Sequence, residues 1–234
     1  MSEFSLKGAD LSQETLTALC ALRLSIVQLK PEIDIEQDFK KFCAFIRKSQ
    51  YVNYAVEKGE IQAFFVTYYS QQCINRRKTI VVEPEFGFVR PAYRQNPFVK
   101  KAFAAVIRKI KLRYWYKPIF IVGSAYPHSF IAFMRQFAHN LWLLNSVDIA
   151  VFDKTILTDF LQRKTGKTAI DTGIVAVPTI HSEQNPEHLA RLQKSPFYKT
   201  YLAENPNWQK GWTLAFIVRI SWWALLKAIF KRKN

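Results

Sequence analysis

Between Phe86 and Val147 the sequence contains no aspartate or glutamate. The same stretch carries Arg90, Arg94, Lys100, Lys101, Arg108, Lys109, Lys111, Arg113, Lys117 and Arg135. A single charge sign inside apolar, periodic sequence excludes a disordered basic tail and points to a folded surface that holds an anion. Glycine and proline are scarce, at 7 and 10 of 234 residues, which excludes fibrous and low-complexity chains. Cys20, Cys43 and Cys73 are odd in number and far apart, so neither a disulfide framework nor a cysteine metal site is indicated. Each lies among apolar residues, and buried free thiols in a reducing compartment are expected. Met1 to Leu11 is polar and lacks the apolar centre of a secretion signal, so a cytoplasmic protein is expected.

What is present is apolar and basic. Hydrophobic residues make up 49% of the chain and aromatics 15%, ample for a packed core. The formal net charge is +16, a surface suited to polyanions or anionic lipid.

Periodicity places the elements. Leu16, Leu19, Leu22, Ile26 and Leu29 recur at helical spacing until Pro31. Phe39, Phe42, Cys43 and Ile46 mark a second helix over 35–47. Strands over 51–56 and 61–69 flank Lys58-Gly59 as a hairpin, and 78–89 is another strand. A loop from Arg90 to Asn96 precedes a helix that opens at Pro97 and runs to about Tyr114, with Phe98, Ala102, Phe103, Val106 and Ile110 on its apolar stripe. A strand over 119–123, a helix over 129–137 and a strand over 141–152 follow. Short helical stretches are expected at 158–163, 186–194 and 197–204. Strand-helix-strand units of this length require some parallel pairing, so the fold class is α/β (or α+β), a mixed central sheet flanked by helices.

The segment Phe88-Val89-Arg90-Pro91-Ala92-Tyr93-Arg94-Gln95-Asn96, set in this element order, resembles the GNAT acyltransferase superfamily. The resemblance covers about residues 16–152. It is to the end of the fourth strand, where Val-x-Pro-x-Tyr-Arg leads into a loop that cradles the pyrophosphate of coenzyme A with backbone N–H groups and a helix N-terminus. The family's loop glycines are absent: Pro97, Phe98 and Val99 stand where small residues are expected. Ala125 to Phe137 is similar to the family's next helix, although Phe133 and Met134 occupy the neighbourhood of its usual tyrosine acid.

The resemblance implies a donor site at Arg90, Arg94, Gln95, Asn96, Lys100 and Lys101, which would bind an acyl thioester of coenzyme A or of an acidic acyl carrier protein. It also implies a base for the acceptor amine on the strand that enters the loop, Glu83 or Glu85, with His128 as an alternate. The bland counterparts are solvated strand-end arginines, carboxylates offsetting Arg76, Arg77 and Lys78, and a helix-start histidine. No metal site is expected, because His181 and His188 lack partners at ligand spacing. Tyr114, Trp115 and Tyr116 read foremost as core packing at a helix end, with base stacking as the other reading.

From Asp153 the composition turns polar as far as Gln209, and from Gly211 it turns apolar with a Lys231-Arg232-Lys233 end. The expected organisation is an acyltransferase-like domain over 1–152, a polar, partly helical extension over 153–210, and an amphipathic helix over 211–234. Arg219 and Lys227 oppose a transmembrane span, since a charge near the bilayer centre costs about 2.5–3.5 kcal/mol. Paired tryptophans and the basic end suit an anionic membrane surface, or else a docked helix. The expected protein is therefore a divergent N-acyltransferase, cytoplasmic and peripheral on the inner face of the membrane. The alternatives are an inactive membrane-associated binding protein of the same fold and a basic nucleic-acid-binding protein, for which no nucleic-acid signature is present.

Overall fold

The computed structural model describes residues 2–94, 96–137, 140–177, 179–181, 190 and 192–221. The chain divides into two compact units. The first holds Met1–Tyr69, Glu83–Trp115 and Pro178–Glu183; the second holds Ser70–Val82, Tyr116–Val177 and Gln184–Asn234.

In the first unit, strand β1 (Ser2–Leu6) pairs antiparallel with β3 (Tyr51–Glu57), and β3 with β4 (Glu60–Ile74). The β3–β4 turn is Lys58-Gly59 as expected, both residues at positive φ (53° and 80°), the two-residue geometry that matches strand twist. Helix α1 (Gln13–Leu24) starts where the Ser12 side chain accepts the Thr15 N–H at 3.1 Å. It stops earlier than the sequence suggests. Val27–Leu29 forms strand β2 (Val27–Leu29) instead, paired antiparallel with β9 (Thr179–His181), and β-branched Ile26 and Val27 favour that exit. Helix α2 (Ile35–Lys48) is capped by Asp34, which accepts the Gln37 N–H at 2.7 Å. Buried Arg23 of α1 donates to both carboxylate oxygens of buried Asp38 on α2, at 2.6 and 3.0 Å. Leu16, Leu19, Leu22, Phe42 and Ile46 pack with Val52, Phe64 and Val66 to form this unit's main core.

Strand β5 (Arg77–Val89) follows β4 through Asn75-Arg76, also both at positive φ. Its first part belongs to the second unit and its part from Glu83 to the first. A one-turn 3-10 helix, Pro91–Tyr93, leads to α3 (Phe98–Arg113), whose Phe98 packs with Ala55 and Ala63 while Phe103 meets Phe65 edge-on at 5.4 Å.

In the second unit, β5 runs parallel to β6 (Ile119–Ala125), with Ile80, Val81 and Val82 opposite Ile119, Phe120 and Ile121. The remaining elements are α4 (Pro127–Phe137), β7 (Leu141–Trp142), α5 (Val151–Thr165), β8 (Ile174–Ala176), α6 (Pro196–Glu204) and β10 (Trp212–Ile220). Strand β10 pairs antiparallel with β6 along Leu214–Ile220 and on its other edge with β7 and β8. The sheet is therefore mixed and flanked by helices, the α/β class expected.

Three expectations about the C-terminal third need correction. The strand over 141–152 is only Leu141–Trp142, because the Ser146 hydroxyl accepts the Leu143 N–H at 2.8 Å and turns the chain. The polar extension from 153 is part of the core: Ile156, Leu157, Phe160 and Leu161 of α5 pack against Phe120, Val122, Ala215 and Ile217, so the boundary at 152/153 falls inside a helix. The amphipathic helix over 211–234 is not a helix where it is described, since 212–220 is β10 and its β-branched residues (Thr213, Ile217, Val218, Ile220) suit a strand. Residues 222–234 lie outside the described residues, as does most of the helix expected at 186–194. The cysteines are free, but only Cys20 is buried; Cys73 is exposed.

Candidate functional site

The loop after β5 is built by short hydrogen bonds within the first unit. Arg90 continues the strand edge, its N–H donating to the Gln62 carbonyl at 2.9 Å. Its guanidinium turns back to the β3–β4 turn: Nε reaches the Ile61 carbonyl at 3.3 Å and an Nη lies 3.4 Å from Glu60. Arg90 thus holds the hairpin. Tyr93 packs its ring with Ala55, Ala63 and Phe98, and burial raises its phenol pKa, helped by Glu57 and Glu3. Arg94 is exposed at the end of that one-turn helix.

Asn96 stands just before Pro97, the cap position of α3. Its Oδ1 accepts the Phe98 N–H at 2.9 Å, a bond from outside the helix that consumes one of its leading donors. Pro97 has no N–H to offer. The backbone here is therefore poorer in donors than a glycine-rich phosphate loop. Lys100 and Lys101 are exposed in the first turn, which holds no carboxylate. That is the sign the helix dipole disfavours at this end. Arg94 and Asn96 precede α3 and Lys100 and Lys101 lie in its first turn, whereas Gln95 lies outside the described residues.

Glu83 and Glu85 lie on the part of β5 that belongs to the same unit. Alternation puts them on the face of Gly87 and Val89; a Cβ on Gly87 would stand 3.4 Å from the Phe65 ring and 4.0 Å from Val99 of α3. Glu83 is buried and Glu85 half-buried. Lys111, on α3, is also buried, and desolvation lowers its pKa.

His128 belongs to the second unit, as the second residue of α4, half-buried and stacked on Tyr126 with ring centroids 6.4 Å apart. The strand end before it is braced by two residues the sequence did not single out. The Tyr201 hydroxyl donates to the Ala125 carbonyl at 3.0 Å, and Asn205 Nδ2 donates to the Tyr201 oxygen and the Trp212 carbonyl, each at 3.1 Å. Burial drives the Tyr201 pKa up, so the phenol stays a donor at any ordinary pH. Nothing in the local sequence around residue 201 announces this, because its partner lies 76 residues away.

Trp115 and Tyr116 are not core. They are 64% and 65% exposed, and Leu112 is 63% exposed, because Phe103, Val106, Ile107 and Ile110 already fill the inner face of α3. Among the described residues no cluster of three or more His, Cys, Asp or Glu is placed to hold a metal ion. Among them, too, no helix is long and apolar enough to cross a membrane.

No protein-family model matches the sequence, and no curated protein matches it. Several solved structures resemble it. Escherichia coli ElaA is 16% identical over 64% of this chain and 92% of that one, with a TM-score of 0.42. A ribosomal-protein-alanine N-acetyltransferase from Brucella melitensis biovar Abortus 2308 is 14% identical over 55% and 84%, with a TM-score of 0.40. The aminoglycoside N-acetyltransferase AAC(6')-Iy, solved with CoA, is 19% identical over 56% and 82%, with a TM-score of 0.40.

Proposed function

We propose that the chain is a divergent N-acyltransferase that moves an acyl group from a coenzyme A or acyl-carrier thioester to an amine. One observation supports this reading: the first turn of α3 carries exposed Lys100 and Lys101 and no carboxylate of its own, with exposed Arg94 four residues before it in the chain. Lys100 and Lys101 have the sign that the helix dipole disfavours there, an anion beside them would offset that cost, and a thioester donor brings phosphate. Because Asn96 and Pro97 reduce the backbone donors, side-chain charge does most of the holding. Donor binding should accordingly weaken steeply with salt. An acidic carrier protein suits the same basic turn as well as free coenzyme A does.

The chemistry would need a base for the amine. Glu85, half-buried, is better exposed to an incoming acceptor than buried Glu83, and His128 is the alternate. The amine gives up its proton, its lone pair attacks the thioester carbonyl, the C–N bond forms and the C–S bond breaks. The base receives the proton that the nitrogen loses, and the departing thiolate takes that proton from the base, so that amide and free thiol leave the base as it began. A place beside an anionic membrane completes the reading, supported by the +16 charge and by the tryptophan- and lysine-rich sequence from Trp222.

The test is titration of the purified protein with coenzyme A, long acyl-coenzyme A thioesters and an acyl carrier protein, beside Arg94→Ala. Saturable binding that weakens in Arg94→Ala supports the donor site. Absence of binding to every donor removes it. A second reading is favoured by the Asn96–Phe98 bond itself: a protein of this fold that binds without catalysing. Donor binding with no turnover of any amine would select it.

A further inference from the structure

Two large apolar side chains at the C-terminal end of α3 and just past it are mostly exposed, Leu112 at 63% and Trp115 at 64%. Lys101, Ala104, Arg108 and Leu112 recur at three- and four-residue spacing, which puts them along one side of the helix, and Trp115 follows two residues past the helix end at Arg113; all are exposed. Lys109 and Arg113 flank them, also exposed. The Lys109 ammonium stands 5.8 Å from the Tyr51 ring and the Arg113 guanidinium 5.5 Å from the Tyr114 ring, so aromatic faces steady both charges. No carboxylate occurs anywhere in α3 or in the adjoining loop. The surface is thus a small apolar tip, Leu112 and Trp115, set among Arg108, Lys109 and Arg113.

We propose that this end of α3 seats the protein on an anionic lipid bilayer. Trp115 and Leu112 enter the boundary between headgroups and acyl chains, where an indole is at home, and the surrounding cations meet lipid phosphates. Charge complementarity selects an anionic partner, and the apolar tip selects lipid among anions. A nucleic-acid strand would stack bases on Trp115, but Leu112 offers no stacking face and would stay in water. The surface is separate from residues 222–234, and it does not rest on acyl transfer.

The test uses the full chain and sedimentation with vesicles of phosphatidylcholine alone or mixed with phosphatidylglycerol. Two variants are compared with the wild type, Leu112→Ala with Trp115→Ala, and Arg108→Glu with Arg113→Glu. All four side chains are exposed, so melting temperatures serve as a check on folding. Each pair should lower partition onto the mixed vesicles at least about tenfold, or about 1.4 kcal/mol. The wild type should bind phosphatidylcholine alone far more weakly. The proposal is overturned if either folded variant partitions like the wild type, which assigns binding to another part of the chain. It is equally overturned if the wild type ignores vesicles but binds an oligonucleotide through Arg108 and Arg113. Neither outcome bears on donor binding, which is measured without lipid.

Discussion

Exchanging Lys100 for glutamate should move stability and donor binding in opposite directions. With Pro97 at the cap position, Phe98, Val99 and Lys100 are the first three residues of α3. The third is where a carboxylate best serves a helix start. An exposed charge of the right sign near a helix terminus contributes about 0.3–1 kcal/mol, so replacing the wrong sign with the right one should give about 0.6–2 kcal/mol at low salt. For a chain of this size each kcal/mol shifts the melting temperature by about 2–4 °C. Lys100→Glu should therefore melt about 1–8 °C above the wild type in the absence of ligand.

If this turn is the donor site proposed above, the same change removes a charge-assisted contact to phosphate, worth about 1.5–3 kcal/mol. Coenzyme A affinity should then fall at least about tenfold. Thermal melts and coenzyme A titrations in the same low-salt buffer read both effects, and Lys100→Gln should fall between them. A variant that melts lower than the wild type would refute the view of this turn as electrostatically unfavourable. Unchanged coenzyme A affinity would refute its role as the anion site.

Arg23→Met should destabilise the protein by about 3–5 kcal/mol in urea unfolding, since it strands the buried Asp38 carboxylate; Arg23→Met with Asp38→Leu should recover most of the loss. A wild-type midpoint for the single variant contradicts this. Burial raises the pKa of Asp153 above its ordinary 3.8, with Arg219 opposing, so the folded state binds that proton more tightly than the unfolded state does. Its ionisation therefore subtracts stability as pH rises from the unfolded toward the folded pKa, and Asp153→Asn should gain stability above that window and none below it; parallel melting curves across the range would sink the claim. If a strand carboxylate is the base, Glu85→Gln or Glu83→Gln should cut turnover by on the order of 10²-fold with donor affinity kept, and full activity in both moves the role to His128 or to solvent. A chain ending before Gly211 should fail to fold, because Leu214, Phe216, Ile217, Val218 and Ile220 are all buried and each is worth about 1.5–3 kcal/mol, together comparable with a whole domain's stability of about 5–15 kcal/mol. A cooperative melt from that truncated chain would refute the place of β10 in the core.

Much of the first unit was legible because its signals are local. Ser12 and Asp34 cap helices whose apolar residues keep a helical period, and Lys58-Gly59 marks its own turn. The loop after β5 and the helix it opens were legible for the same reason. The duty of Arg90 was not: Glu60 and Ile61, its partners, are 30 and 29 residues distant in sequence and meet it only through strand pairing. Around residue 145, hydrophobicity misled outright. Val147 and Val151 are 99% and 80% exposed, so the apolar residues that suggested a continuous strand do not mark a buried one.

The end of the chain shows why composition cannot separate a membrane segment from a central strand. Leu214 to Val218 is an unbroken apolar run, and a strand covered on both faces needs just such a run. Strand β10 has neighbours on both edges, β6 along 214–220 on one and β8 and β7 over 212–214 and 217–218 on the other, so much of its backbone is paired within the sheet, as a central strand's is. Arg219, which argued against a span, also fits: it is the exposed position in the strand's last turns of the pleat, and its guanidinium lies 5.7 Å from the Phe120 ring. The discriminating signals were Gly211, left-handed at φ 75° just before the strand, and the β-branched residues that follow it. Charge amid an apolar run therefore carried the right warning, and its proper reading was a side chain open to water on one face near the end of a paired strand.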